Sequence, residues 1–142
     1  MNIRADLFVA TRPDAPRYEA CLRRGEEPPF SEVHVSGHIT GLEFGTLWAI
    51  LEQQPWDPER HMLVDLSPEE GGDTWLNEFP SRLTELLGAL DDAGSEAALV
   101  KWAATEESQC DPGDLRPGFT ALRALARSAL RQGKAVFLWG AV

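Results

Sequence analysis

The chain has little of what would announce a reaction. Two cysteines in 142 residues make no disulfide framework, so Cys21 and Cys110 read as thiols. Cys110, in SQCDPGD, precedes a helix start that would favour a thiolate, but no histidine neighbours it in sequence, and it reads as passive. Histidines number three. His34 and His38 fall four apart on one face and would need His61 or an acid to complete a three-ligand metal site. HVSGH lacks the glutamate of HExxH and any cysteine pair, so it reads as two half-exposed histidines, and neither a metal nor another cofactor is expected. The first strand is not followed by GxGxxG, and GHITG and EEGGD lack the lysine and hydroxyl residue of a phosphate loop. Nucleotide chemistry is therefore unsupported.

Basic residues are scarce. Thirteen against twenty-three acids leave a net charge of −10, which disfavours a general nucleic-acid or anionic-membrane surface and points to a basic or cationic protein partner. No apolar run approaches the roughly 18 residues of a membrane span, and MNIRADLFVAT carries charges where a signal peptide needs an apolar core. The expected compartment is a bacterial-type cytoplasm. With no internal repeat, low-complexity tract or linker, residues 1–142 are expected to form a single α+β domain. About four helices would pack on a small, mostly antiparallel sheet. The sequence leaves oligomeric state open.

The clearest structural signal is LRPGFTALRALARSALRQGKAVFLWGAV, from Leu115 to Val142. At about 100° per residue, Arg116, Arg123, Arg127 and Arg131 share one stripe, while Phe119, Leu122, Ala126, Ala129 and Leu130 share the other side. Gly133 supplies a left-handed stop, and the apolar run that follows predicts a strand covered on both faces in the sheet interior, paired with the strand holding Leu7 and Val9. That first strand alternates from Ile3 to Val9, the pattern of one buried face. Pro13, Pro16, Pro28 and Pro29 then bracket a charged segment that holds at most a short helix and is expected to be a mobile loop.

A short strand is expected over Glu32–Ile39, and Thr40 with Glu43 forms a capping box for a helix using Leu42, Phe44, Leu47, Trp48 and Leu51, stopped by Pro55. His61–Leu66 and Asp73–Phe79, joined by SPEEGG, predict a hairpin. Pro80 opens a helix with a Leu83, Leu86, Leu87, Leu90 stripe, and Asp91, Asp92 or Ser95 caps SEAALVKWAATEE. Asp111 and Pro112 start the last helix, with Pro117 expected to delay or kink it.

Three sets of residues are candidates for function. Continuing the helix from Ser95 puts Glu106 in the middle of the stripe made by Leu99, Trp102 and Ala103, where desolvation or an arginine would tune it as a catalytic acid; its plainer readings are a solvated last turn or a structural pair with the arginine stripe. Of the five tryptophans, Trp48, Trp102 and Trp139 lie on apolar faces and read as core, whereas Trp56 and Trp75, flanked by Pro55, Asp57, Asp73 and Thr74, are expected at the surface. Arg123, Arg127 and Arg131 would hold a carboxylate or phosphate, although arginines so spaced are ordinarily solvated or paired with nearby acids.

RADLFVAT, TGLEFGTLWAIL, WAATEE and LRALARSALRQGKAVFLW together resemble a set of small uncharacterised bacterial proteins. The likeness spans most of the chain and implies a compact bacterial domain, with no activity, ligand or catalytic residue attached. GKAV after a basic terminal helix is also similar to another bacterial family of unknown function.

Two functional readings follow. In the first, a small acidic binding protein docks on a basic partner, in the manner of immunity proteins that neutralise toxins. Between Asp57 and Glu78 lie seven acids against Arg60 alone, and Glu69, Glu70 and Asp73 stand with Trp56 and Trp75 as the expected contact residues. The plainer account of that charge is solubility. In the second, an enzyme or small-ligand binder uses Glu106 with an arginine of the terminal helix and His34 or His38 as proton carrier. A deep pocket at Glu106 would favour the second.

Overall fold

In chain order the elements of the computed structural model are β1 (Arg4–Ala10), α1 (Arg17–Arg23), β2 (Val33–Gly37), α2 (Gly41–Glu52), β3 (Val64–Asp65), β4 (Thr74–Glu78), α3 (Ser81–Ala89), α4 (Asp92–Ala103), α5 (Pro112–Gln132) and β5 (Ala135–Ala141). The structure describes residues 3–37, 39–67 and 72–142. The apolar run after Gly133 becomes the middle strand of an antiparallel sheet ordered β2-β1-β5-β4-β3. β1 lies on one side of β5, with Leu7 opposite Leu138 and Val9 opposite Val136; β4 lies on the other, with Trp75 opposite Gly140. An α+β architecture with the last strand inside the sheet is thus as the sequence reads, with α1 making five helices where about four were expected.

Strand alternation divides the core. Ala5, Leu7, Val9, Val136 and Leu138 face α2 to α5, while Phe8, Ala10, Leu76, Phe137 and Trp139 face Ala15 and Tyr18. Two-sided burial of β1 corrects the expectation of one solvent face: the alternate set Asp6, Phe8 and Ala10 is as enclosed as Leu7. The buried Asp6 carboxylate is satisfied by the Tyr18 hydroxyl, which donates at 2.6 Å, and by Arg4 at 2.9 Å. Burial and then Asp6 push the Tyr18 phenol above its ordinary value. Tyr18 also stacks on Phe8 at 4.4 Å, so the proline-bracketed segment carries a helix fastened to the second face.

Helix ends follow the sequence closely. The Glu43 carboxylate accepts from the Thr40 backbone N–H at 3.0 Å, Asp91 accepts from Gly94 N–H at 2.6 Å and Asp111 from Gly113 N–H at 2.8 Å. Gly133 ends α5 at φ 66. Pro117 neither delays nor breaks α5, which runs through it. Two stripe residues depart from expectation, since Leu42 and Leu130 are 49% and 45% exposed.

Candidate functional site

The residues from Gln53 to Leu63 leave α2, turn and lead into β3. Asp57 organises the turn: its carbonyl accepts from His61 N–H at 2.8 Å, its carboxylate from Glu59 N–H at 2.9 Å, and its own N–H donates to His61 Nδ1 at 2.9 Å. Gly45 lets this turn sit against α2, because a Cβ there would stand 2.2 Å from the His61 carbonyl oxygen and 3.6 Å from Trp56 Nε1. The turn holds Trp56 and Met62 outward, 43% and 56% exposed. Across from them the Trp75 ring covers Gly140, where a Cβ would fall 2.1 to 2.3 Å from three indole atoms. Trp56, Met62, Leu42 and Trp75 line one groove of about 420 Å³ with Asp65 and Asn77. Among the described residues no lysine or arginine lines it.

Asp65 is held by Ser67, whose N–H donates to its carboxylate at 2.9 Å; Ser67 keeps the carboxyl below its usual value. Glu59, Asp65 and Asp73 are exposed and enter no ion pair among the described residues. Glu69 and Glu70 lie outside the described residues.

Under the groove floor lies a buried acid that the sequence reading missed. Glu52 accepts from Arg60 at 3.1 and 2.6 Å and from His61 Nε2 at 2.9 Å. Arg60, and then His61, hold its carboxyl down at about 2. Because His61 Nδ1 accepts the Asp57 N–H, Nε2 carries the proton that goes to Glu52. Both ring nitrogens are therefore committed to structure, and the imidazole has no lone pair left for general-base work. The same histidine meets Trp48 edge-on at 5.3 Å and is buried, so it is not part of a strand beginning at residue 61; β3 is only Val64–Asp65.

The remaining candidates are dispersed. α4 stops at Ala103, so Glu106 lies in an exposed turn beyond the helix and not in an apolar stripe. Thr105 and the turn that follows take over the last α4 carbonyls: Thr105 N–H and hydroxyl both donate to Trp102 O. The arginine stripe is largely spent within the fold. Arg123 and Arg127 donate to Leu90 O at 2.9 and 2.8 Å, and Arg127 also to Gly88 O, capping the end of α3. Arg131 is exposed, and none of the three lines the groove. His34 is half-buried on β2, and His38 lies outside the described residues. Among the described residues no group of three or more histidine, cysteine, aspartate or glutamate side chains is arranged for a metal. Cys110 lines a separate cleft with Glu43 and Asp114, where burial, then Asp114 and Asp111, push its thiol up. No described helix is long and apolar enough to cross a membrane.

No protein-family model, curated protein or solved structure matches this chain. Its site therefore rests on its own geometry. Of the groove lining, Trp56 and Trp75 are among the residues that the sequence singles out, whereas Leu42 reads as part of the α2 apolar stripe and Met62 carries no signal; Asp73 does not line the groove. Gly140 did carry one: an isolated glycine inside an apolar strand marks close approach by a neighbour, here Trp75.

Proposed function

We propose that this protein is a small acidic binding module that docks on a basic protein partner through the groove between Trp56 and Trp75. One observation carries the reading: Leu42, Trp56 and Met62, all exposed, converge with Trp75 from three separate chain segments on a single concavity. Scattered exposed apolar residues need no explanation, but a convergent aromatic and aliphatic set is how interface anchors are arranged. Charge supports the choice of partner. Asp65 lines the groove, Glu59 and Asp73 stand next to its lining segments, and the nearest arginine in sequence, Arg60, is engaged by Glu52. Such a rim steers a cationic surface and repels an anionic one. An immunity-type neutraliser of a basic toxin is one particular form of this reading.

The test is binding kinetics against a basic protein captured from the native cell. Glu59→Lys with Asp73→Lys should slow association and flatten its salt dependence, since rim charges act on encounter. Trp56→Ala, at an exposed position, should instead speed dissociation, with a cost of about 2 kcal/mol or more if it is an anchor. Binding unaltered in both variants would remove the groove from the mechanism.

A further inference from the structure

We infer that the groove is a seat for a guanidinium: an arginine side chain of the partner inserts between Trp56 and Trp75 and meets the Asp65 carboxylate. This rests on the docking reading above and names what the groove recognises. The chain's own tryptophans supply the first argument. Trp48 carries Arg60 over its ring at 5.7 Å and Trp139 carries Arg4 at 5.4 Å, while Trp102 is buried and donates its N–H to Glu43 O at 2.8 Å. Three tryptophans have no cation over them among the described residues; Trp102 is sealed in the core, and the other two, Trp56 and Trp75, line the same groove.

The second argument is the chemistry around the rings. A guanidinium is planar and weakly hydrated, stacks on an indole face and offers a donor pair to a carboxylate, whereas an ammonium is a strongly hydrated point charge. Asp65 is fixed by the Ser67 N–H and supplies that carboxylate. Asn77 adds a side-chain carbonyl at the same wall, and Met62 with Leu42 offers apolar cover for the methylene stem. The amino-terminal turn of α2 also opens here through Gly41 and Leu42, which alone would suit an anion. Glu43, three residues into that end, places its carboxylate on the Thr40 N–H and cancels the preference.

The experiment uses hexaarginine as probe, with hexacitrulline as its neutral isostere and hexalysine as the point-charge control, read by the indole N–H resonances of the five tryptophans. Hexaarginine should move the signals of Trp56 and Trp75 and leave those of Trp48, Trp102 and Trp139 in place. Asp65→Asn and Trp56→Ala, each checked by a melt for an intact fold, should weaken binding about 3- to 30-fold, and hexalysine should bind less tightly than hexaarginine. Equal shifts with hexacitrulline, or equal affinity for hexalysine, would overturn the guanidinium seat. Tight hexaarginine binding that leaves both indole signals unmoved would overturn the seat while leaving an acidic docking face. Absence of any hexaarginine binding would overturn both.

Discussion

Helix α5 from Arg116 onward and the β3–β4 hairpin each carry charge of one sign, and the fold treats the two sets differently. In α5 three of the four arginines are turned to internal use: Arg116 meets Glu96 at 2.5 Å, and Arg123 and Arg127 meet the carbonyls that end α3, while Arg131 stays exposed. Around the hairpin the acids Glu59, Asp65 and Asp73 stay in solvent beside exposed Trp56 and Met62. Charge that closes a helix end belongs to the fold. Charge left in water next to a convergent apolar surface is available to a partner, and it costs the fold self-repulsion that a purely structural arrangement would avoid. The contrast therefore separates two groups of residues that look alike in sequence, since both are periodic or clustered charge near aromatics.

The contrast can be broken at several points. The largest effect is expected from deleting Phe137 to Val142. α5 leads into β5 and the hairpin pairs with it through β4, so the deletion removes the support of both regions and leaves β1 and β4 each unpaired along the edge that faces β5. Loss of the cooperative melt is the expected result, and an unchanged melting temperature would refute the central place of β5. Next in size is Arg123→Ala. Its side chain is 11% exposed and shares Leu90 O with Arg127, so a loss on the order of 1.5 kcal/mol in denaturant unfolding is expected, with binding to a basic partner unchanged. A binding defect without a stability defect would move α5 to the functional side.

The smallest effect is a slope. Folding holds the Glu52 carboxyl at about 2, below its ordinary 4.5, so this group stabilises the fold at neutral pH and that contribution is lost as pH falls from about 4.5 through 2. Glu52→Gln should flatten the fall of melting temperature across that window. An identical acid limb in the variant would mean that Glu52 does not tie the groove floor to α2.

Much of the fold was legible because its signals are local. The apolar run at 135–139, the glycine stop at 133, the Thr40–Glu43 box and the Asp91 and Asp111 caps each need only a few neighbouring residues, and each forms as read. Errors arose where a periodic pattern was extended past what the backbone does. Glu106 was placed by continuing α4 past Ala103, although the chain turns there through Thr105. Leu42 fits the α2 stripe on a wheel, yet at the second helical position it reaches beyond the core to the groove. Of the groove lining, Trp56 and Trp75 are singled out by their polar and proline flanks, although only Trp56 is exposed and Trp75 is half-buried over Gly140. Their convergence was not legible, because it depends on β4 pairing with β5 so that Trp75 covers Gly140, and on Gly45 admitting the 57–61 turn. Both are contacts between residues far apart in sequence.

The most direct measurement of the central claim is amide hydrogen exchange on the free protein and on its complex with the captured basic partner. Added protection is expected over 56–65 and 72–77, the segments that bring Trp56, Met62, Asp65 and Trp75 to the groove, with α5 from 116 to 127 unchanged because Arg116, Arg123 and Arg127 already serve the fold. Protection concentrated on α5, with the groove segments exchanging as in the free protein, would contradict the division between structural and available charge.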